Sequence, residues 1–419
     1  MATPSQDIVI IGGGIAGLTV AAELARRHHR VRLLEYYPNF GGRIVTFRDP
    51  DVGQYEIGAG RIFHKHERVH ALIDKYKLHT YPISTYSDYK RMYGSERISN
   101  EFLELFTPLR QVLQTLHPDD LATHTIKSCL PAQYTPILEM FPYRAEMDLM
   151  RADMALELFK PTDSMGADAS SDAYVGITEG NDSLIKHIVE EALHAGVTLK
   201  SRHRVDDIKR TDADMFEITG KRGKKANEKP FTYYAKHVII ATCRCSLGKF
   251  SVLREAPLLK QLATSPLCRI YAKYPPNATG VIWFKDLPKI VTPSRLRYII
   301  PIDPKTGLIM ISYTDGIDTD VWKDMDASAL EEAIETETRK LFPDKDIPTP
   351  TYLQKHYWSG GCTYWLPGKY NVDTAIKNAM NPSTNVYVVG ESISKQQEWI
   401  EGALESADVF LKNYFQTHE

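Results

Sequence analysis

The stretch from Gln6 to Glu35, QDIVIIGGGIAGLTVAAELARRHHRVRLLE, constrains this chain more than any other. Asp7 to Ile11 is a short apolar run of the kind that a strand covered on both faces produces. It stops at Gly12-Gly13-Gly14-Ile15-Ala16-Gly17, which satisfies G-x-G-x-x-G. In that pattern Gly12 permits a tight turn, Gly14 lets the backbone approach a pyrophosphate, and Gly17 lets the helix pack closely on the strand. The helix expected from Ile15 to about Arg27 directs its N-terminal N–H groups and positive dipole end at phosphate. Val31 to Leu34 reads as a second strand closed by Glu35. That acid stands 18 residues beyond Gly17, near the spacing at which a carboxylate accepts hydrogen bonds from an adenosine ribose. Strand, turn, helix, strand and acid together predict a dinucleotide site, with NAD and FAD both open.

The 419 residues are enough for two or three domains, and 43% hydrophobic with 25% charged residues is the balance of a globular protein. A net charge of −2 offers no electrostatic case for nucleic acid. The densest basic run, Lys221-Arg222-Gly223-Lys224-Lys225, lies between two strand-like segments and reads as a solvated hairpin tip. Five cysteines, Cys129, Cys243, Cys245, Cys268 and Cys362, include no C-x-x-C pair, which suits a reducing compartment. No signal peptide is visible and no run approaches the roughly 18 apolar residues of a membrane span. The expected location is cytoplasmic, and no metal site is expected.

After Glu35 the chain does not continue as a simple alternating nucleotide domain. Gly41-Gly42-Arg43 and Gly58-Ala59-Gly60-Arg61 follow closely, and glycine turns there return the backbone toward the same phosphate and sugar region. Arg43 offers a cation of the type suited to bidentate phosphate contact. From Val69 to Tyr174 the spacing turns helical (LIDKYKL, EFLELFTPLRQVLQTL, EMDLMRADMALELF), and Asp168 to Asp172 is a polar linker. SLIKHIVEEALHA is an amphipathic helix, Leu199 to Ala241 a strand meander ending in a buried run, and Ile270 to Thr314 supplies further strands (RIYAKY, GVIWF, LRYIIP, GLIMISY). NVYVV, Asn385 to Val389, is a last buried strand before Gly390-Glu391 and a final helix.

These residues resemble the flavin-dependent amine oxidase superfamily, which includes monoamine, polyamine and L-amino-acid oxidases. The resemblance rests on Gly12 to Gly17 with Glu35, Gly41-Gly42-Arg43, Gly58-Ala59-Gly60, HVIIAT ending at Thr242, and VYVVGE followed by WIEGALESA, in the family's order over nearly the whole chain. It implies an α/β fold with a glutathione-reductase-type FAD domain from residues 1–68, 175–250 and 384–419. A substrate domain of sheet plus helices follows from residues 69–174 and 251–383. It also implies FAD rather than NAD, with Val205 meeting the adenine and Gly390, Glu391, Ile400 and Ala403 holding the flavin end. A weaker resemblance runs to amine-oxidase-like proteins of large DNA viruses.

Two segments carry the implied chemistry. Cys362, in WSGGCTYWLPG, matches the cysteine that holds flavin through a thioether in monoamine oxidases. The family's next residue, a cage aromatic, is here Thr363, and the following loop is shorter, so the resemblance favours non-covalent FAD with a thioether as the alternative. Trp399 matches the other cage aromatic, with Tyr364 or Trp365 as its expected companion. The family often places a lysine on the strand Pro266 to Tyr274. Counting from Pro266 puts Ala272 at that position and Lys273 on the opposite face, unless a bulge corrects the register.

The function implied is FAD-dependent oxidation of an amine C–N bond to an imine and then an aldehyde, with O2 accepting electrons to give peroxide. The partners are a small amine and O2, without nucleic acid or a membrane span, and a homodimer is left open. The same cofactor fold also serves carotenoid desaturases, protoporphyrinogen oxidase and UDP-galactopyranose mutase, or a flavoprotein kept for binding.

Overall fold

A computed structural model describes residues 6–90, 97–99, 102–159 and 173–414. Two large sheets organise them. In the first, Thr198–Lys200, Val31–Leu34, Gln6–Ile11 and the end of Lys229–Ile240 run parallel, and Val386–Val388 pairs with that last strand, also in parallel. Val9, Ile10 and Ile11 pair with Val238, Ile239 and Ile240, all buried, because helices cover a parallel sheet from both sides. The long strand leaves the parallel layer by its N-terminal half, which forms an antiparallel meander with Phe216–Arg222 and His203–Arg210. The basic run is the exposed tip of that meander. Helix Ile15–Arg26 packs against Asp182–His194 and Ile400–Tyr414, so the chain's beginning, middle and end meet at its start.

The second sheet runs in the order Tyr352–Trp365, Leu262–Lys273, Leu308–Asp315, Tyr298–Asp303, Lys289–Val291, Ser87–Lys90, Arg97–Ser99. Helices Phe102–Leu113, Arg144–Leu149 and Ala152–Ala155 contribute to an aromatic core in which Phe106, Phe141 and Phe159 touch, and Tyr364 of the sheet belongs to the same core.

Three expectations change. The segment from Val69 to Tyr174 is not purely helical, because Thr80–Ile83, Ser87–Lys90 and Arg97–Ser99 are strands. TYPISTYSDYK interleaves aromatic and β-branched residues with a proline, a composition that favours pleated backbone. GVIWF forms no strand. Gly280 takes φ +80°, and Ile282, Trp283 and Phe284 plug a core with Tyr274 instead. Cys243 and Cys245 are joined in a disulfide, their Cα atoms 5.4 Å apart in the turn after Ile240, a pairing that the expectation of a reducing compartment did not foresee. The linker expected at Asp168 to Asp172 lies outside the described residues. Among the described residues no helix is long and apolar enough to cross a membrane.

Candidate active site

The first site residues converge at the C-terminal edge of the parallel sheet. A Cβ on Gly12 (φ +109°) would lie 2.5 Å from the Ala241 carbonyl oxygen, and one on Gly17 would lie 2.2 Å from that of Gly12, so close approach requires glycine at both. Gly14 is different. Its angles, φ −73° and ψ 176°, suit any residue, and an added Cβ would meet no protein atom within 4 Å. Open space in front of a backbone that does not itself need glycine is what a bound pyrophosphate would explain. Ile15 and Ala16 begin the helix there and are buried.

Glu35 is buried at the end of its strand. Its carboxylate accepts from Gly13 N–H and Tyr37 N–H, both at 2.7 Å, and each oxygen keeps lone-pair capacity for a ribose hydroxyl. Burial raises its pKa and the N–H bonds oppose that rise. Gly41 N–H donates to Gly13 O at 2.8 Å, so the Gly41-Gly42 turn does fold back onto the first glycine turn. His203 N–H donates to Glu35 O, which brings the strand carrying buried Val205 to the same end. Thr242 follows the central strand, and its Oγ1 is buried without a hydrogen-bond partner among the described residues. The open face at Gly14, the orphan hydroxyl at Thr242 and the open face at Gly390 fit the polar backbone of FAD.

At the other end, Arg43 is a strut. One guanidinium nitrogen donates to Glu391 Oε1 at 2.5 Å and the other to Gly361 O at 3.0 Å, so the structure places this cation on protein acceptors rather than on the pyrophosphate turn. Thr363 Oγ1 also donates to Glu391, and Gly390 N–H donates to Ser406 Oγ of the last helix. Gly58 is pressed on Arg43 O, Ala59 N–H donates to that same oxygen at 2.9 Å, and Asn181 Nδ2 donates to Ala59 O. A Cβ on Gly402 would sit 2.0 Å from Gln396 O, so Ile400 and Ala403 open the last helix against a tightly folded turn.

Arg61 and Trp399 form the centre of an aromatic box. The guanidinium lies 4.5 Å from the Tyr174 ring and 5.5 Å from those of Tyr143 and Trp399. Burial opposes its charge, but Tyr143, Tyr174, Tyr298 and Tyr313 more than offset this and its pKa is raised. Trp399 stacks on Tyr174 (6.2 Å, 11°) and meets the edge of His66. Arg61, Glu398 and Trp399 are each only partly buried.

Tyr364 and Trp365 are placed elsewhere. Both are fully buried: Tyr364 OH donates to Glu398 at 2.6 Å, while Trp365 donates its indole N–H to Ser394 O and its backbone N–H to Gln397. The aromatic partner of Trp399 is Tyr174, at the start of the strand Tyr174–Ile177, a residue that sequence reading took only as a segment end. Lys273 is not brought to the glycine segment, for its Nζ donates to Asp51 O at the strand's far end. The cation at Gly58–Gly60 is Arg269, four residues earlier. It donates to Gly58 O and Glu56 O and lies over the Tyr313 ring at 4.8 Å. Bulges at Ser265/Leu267 and Ile270/Tyr271 shift the register that counting from Pro266 relies on. Cys362 is buried, and burial together with Glu398 pushes its thiol well up.

A family model described as flavin containing amine oxidoreductase matches residues 15–167 and 143–408. The flavin-dependent L-tryptophan oxidase RebO of Lentzea aerocolonigenes is 25% identical over 97% of this chain and 97% of its own. The L-amino-acid oxidase of Crotalus adamanteus is 25% identical over 96% of this chain and 85% of its own. Cyclohexylamine oxidase from Brevibacterium oxydans superposes with a TM-score of 0.73 at 16% identity, covering 98% of this chain and 99% of that one. At that identity the likeness is one of fold.

Proposed function

The chain belongs to the flavin containing amine oxidoreductase family, and from that premise we propose that it oxidises the α-carbon–nitrogen bond of an amino acid to an imine, with O2 as the electron acceptor. The observation that carries this reading is Arg61, a cation set in a box of Tyr143, Tyr174 and Trp399 beside the Gly58–Gly60 turn. A fixed guanidinium disfavours a substrate whose only charge is an ammonium, and its planar fork suits a carboxylate. The amino-acid substrates named for RebO and for the Crotalus enzyme, similar over nearly the whole chain, support the same choice.

Bound FAD supplies the two-electron acceptor for the C–N bond and the route by which O2 becomes peroxide. The chain's own residues bind and orient. Gly12, Gly14, Ile15, Ala16 and Gly17 receive the pyrophosphate, Glu35 the ribose hydroxyls, and Val205 the adenine edge. Thr242, Gly390 and the Ile400–Ala403 turn receive the ribityl and flavin end, where the helix N-terminus favours negative charge. Arg43 and Glu391 hold the two glycine turns in register. Trp399 and Tyr174 align the substrate and exclude water, which favours the neutral amine that must react. Non-covalent FAD is the reading favoured, because a thioether requires an accessible thiolate and Cys362 is buried, which pushes its thiol pKa well up.

The test is a comparison of peroxide release from L-amino acids and from the amines that lack their carboxyl group. Amino acids are expected to show kcat/KM at least about a hundredfold higher, the scale of losing one desolvated charge pair. Equal or faster turnover of the decarboxylated amines would remove Arg61 from substrate binding.

A further inference from the structure

The Cys243–Cys245 disulfide has no part in the proposed amine oxidation. It spans a single intervening residue, Arg244, and the stabilisation that a disulfide confers through the unfolded chain grows with the loop it closes. Bracing the chain is therefore a poor account of it. Its two sulfurs differ in access, because Cys245 is exposed whereas Cys243 is partly buried. Ser246 Oγ lies 3.8 Å from Cys243 Sγ and 4.0 Å from Cys245 Sγ, so one hydroxyl can donate to whichever sulfur becomes a thiolate. The disulfide also touches two segments assigned to the cofactor. Cys243 directly follows Thr242, whose Oγ1 lacks a partner among the described residues and whose methyl group would lie 3.3 Å from a Cβ on Gly12. On the other side a Cβ on Gly360 would lie 3.1 Å from Cys245 Sγ and 3.9 Å from Cys243 Sγ, so the pair rests on the strand that continues through Gly361 to Cys362.

We propose that Cys243 and Cys245 form a second redox centre that passes electrons from a dithiol to the FAD site, so that the protein is a thiol oxidase as well. An exposed disulfide is of the labile, catalytic kind rather than the structural one. One thiolate of the dithiol attacks Cys245 Sγ, the sulfur open to solvent. The Cys243–Cys245 bond breaks, and Cys243 leaves as a thiolate that accepts a hydrogen bond from Ser246. The second thiol of the dithiol then attacks the mixed disulfide, releases Cys245 and closes the substrate's own S–S bond. As the Cys243–Cys245 bond re-forms, the two side chains give up two electrons and two protons. These go to FAD bound beside Thr242 and from it to O2, which becomes peroxide. This route requires the flavin but neither Arg61 nor an amino acid.

The test uses the purified yellow protein, with its free thiols first blocked by iodoacetamide. Dithiothreitol without oxygen is expected to bleach the flavin and to open Cys243 and Cys245 together to a maleimide, located by peptide mass mapping. Removal of the reductant and admission of air before labelling should restore the colour and abolish both labels. Cys245→Ser, a change at an exposed position, is expected to lose bleaching by dithiothreitol and to keep bleaching by amino acids. Should that variant lose its flavin, the labels and colour of the wild type decide. A pair that resists dithiothreitol, a pair that is reduced while the flavin stays yellow, or a Cys245→Ser variant that bleaches like the wild type overturns the proposal. Bleaching by dithiothreitol with every amino acid inert supports the thiol route and sinks the amino-acid reading alone.

Discussion

Gly14→Val is expected to yield a folded, colourless protein. The backbone at Gly14 is already in a region open to valine, and its Cβ would meet nothing within 4 Å, so the apoprotein has no reason to unfold. The side chain would instead fill the space assigned to the pyrophosphate. The apparent Kd for FAD is expected to rise at least about a hundredfold, near 3 kcal/mol, the scale of forcing methyl groups into a filled site. Circular dichroism should match the wild type while flavin absorbance disappears. A variant that stays yellow would place the cofactor elsewhere. On the wild-type protein, acid precipitation should leave the colour in solution, whereas colour in the pellet would indicate a thioether at Cys362.

The second large effect is Arg61→Met. Methionine keeps an unbranched side chain among Tyr143, Tyr174 and Trp399 but removes the cation. For amino acids kcat/KM should fall by roughly 100- to 1,000-fold, which is about 3–4 kcal/mol of lost charge-assisted binding. The same change should affect decarboxylated amines far less, since they never used the guanidinium. Equal losses on both substrate types would make Arg61 a strut of the box rather than a substrate ligand.

The elements legible from sequence were those set by local chemistry. The fingerprint from Gly12 to Gly17, the buried runs at Ile8–Ile11, Val238–Ile240 and Val386–Val389, and the return of Gly41 to the first glycine turn each depend on a few adjacent residues. What escaped depends on register or on partners distant in sequence. Lys273 and Arg269 lie on one strand that carries bulges at Ser265/Leu267 and Ile270/Tyr271, invisible in the sequence, and it is Arg269 that reaches Gly58 while Lys273 ends at Asp51. Tyr174 meets Trp399 across more than two hundred residues of chain, while the adjacent Tyr364 and Trp365 turn into the core. Arg43 matched a phosphate ligand in type, but Glu391, nearly three hundred and fifty residues later, takes its charge.

The central claim is that the aromatic box of Trp399 and Arg61 presents an amino acid's α-carbon to FAD. It is tested most directly by adding L-amino acids to the purified yellow protein without oxygen and then admitting air. The account predicts loss of flavin colour on mixing, recovery in air with peroxide formed in proportion, and no comparable reaction with NADH. Bleaching by NADH alone, with every amino acid and amine inert, would contradict it.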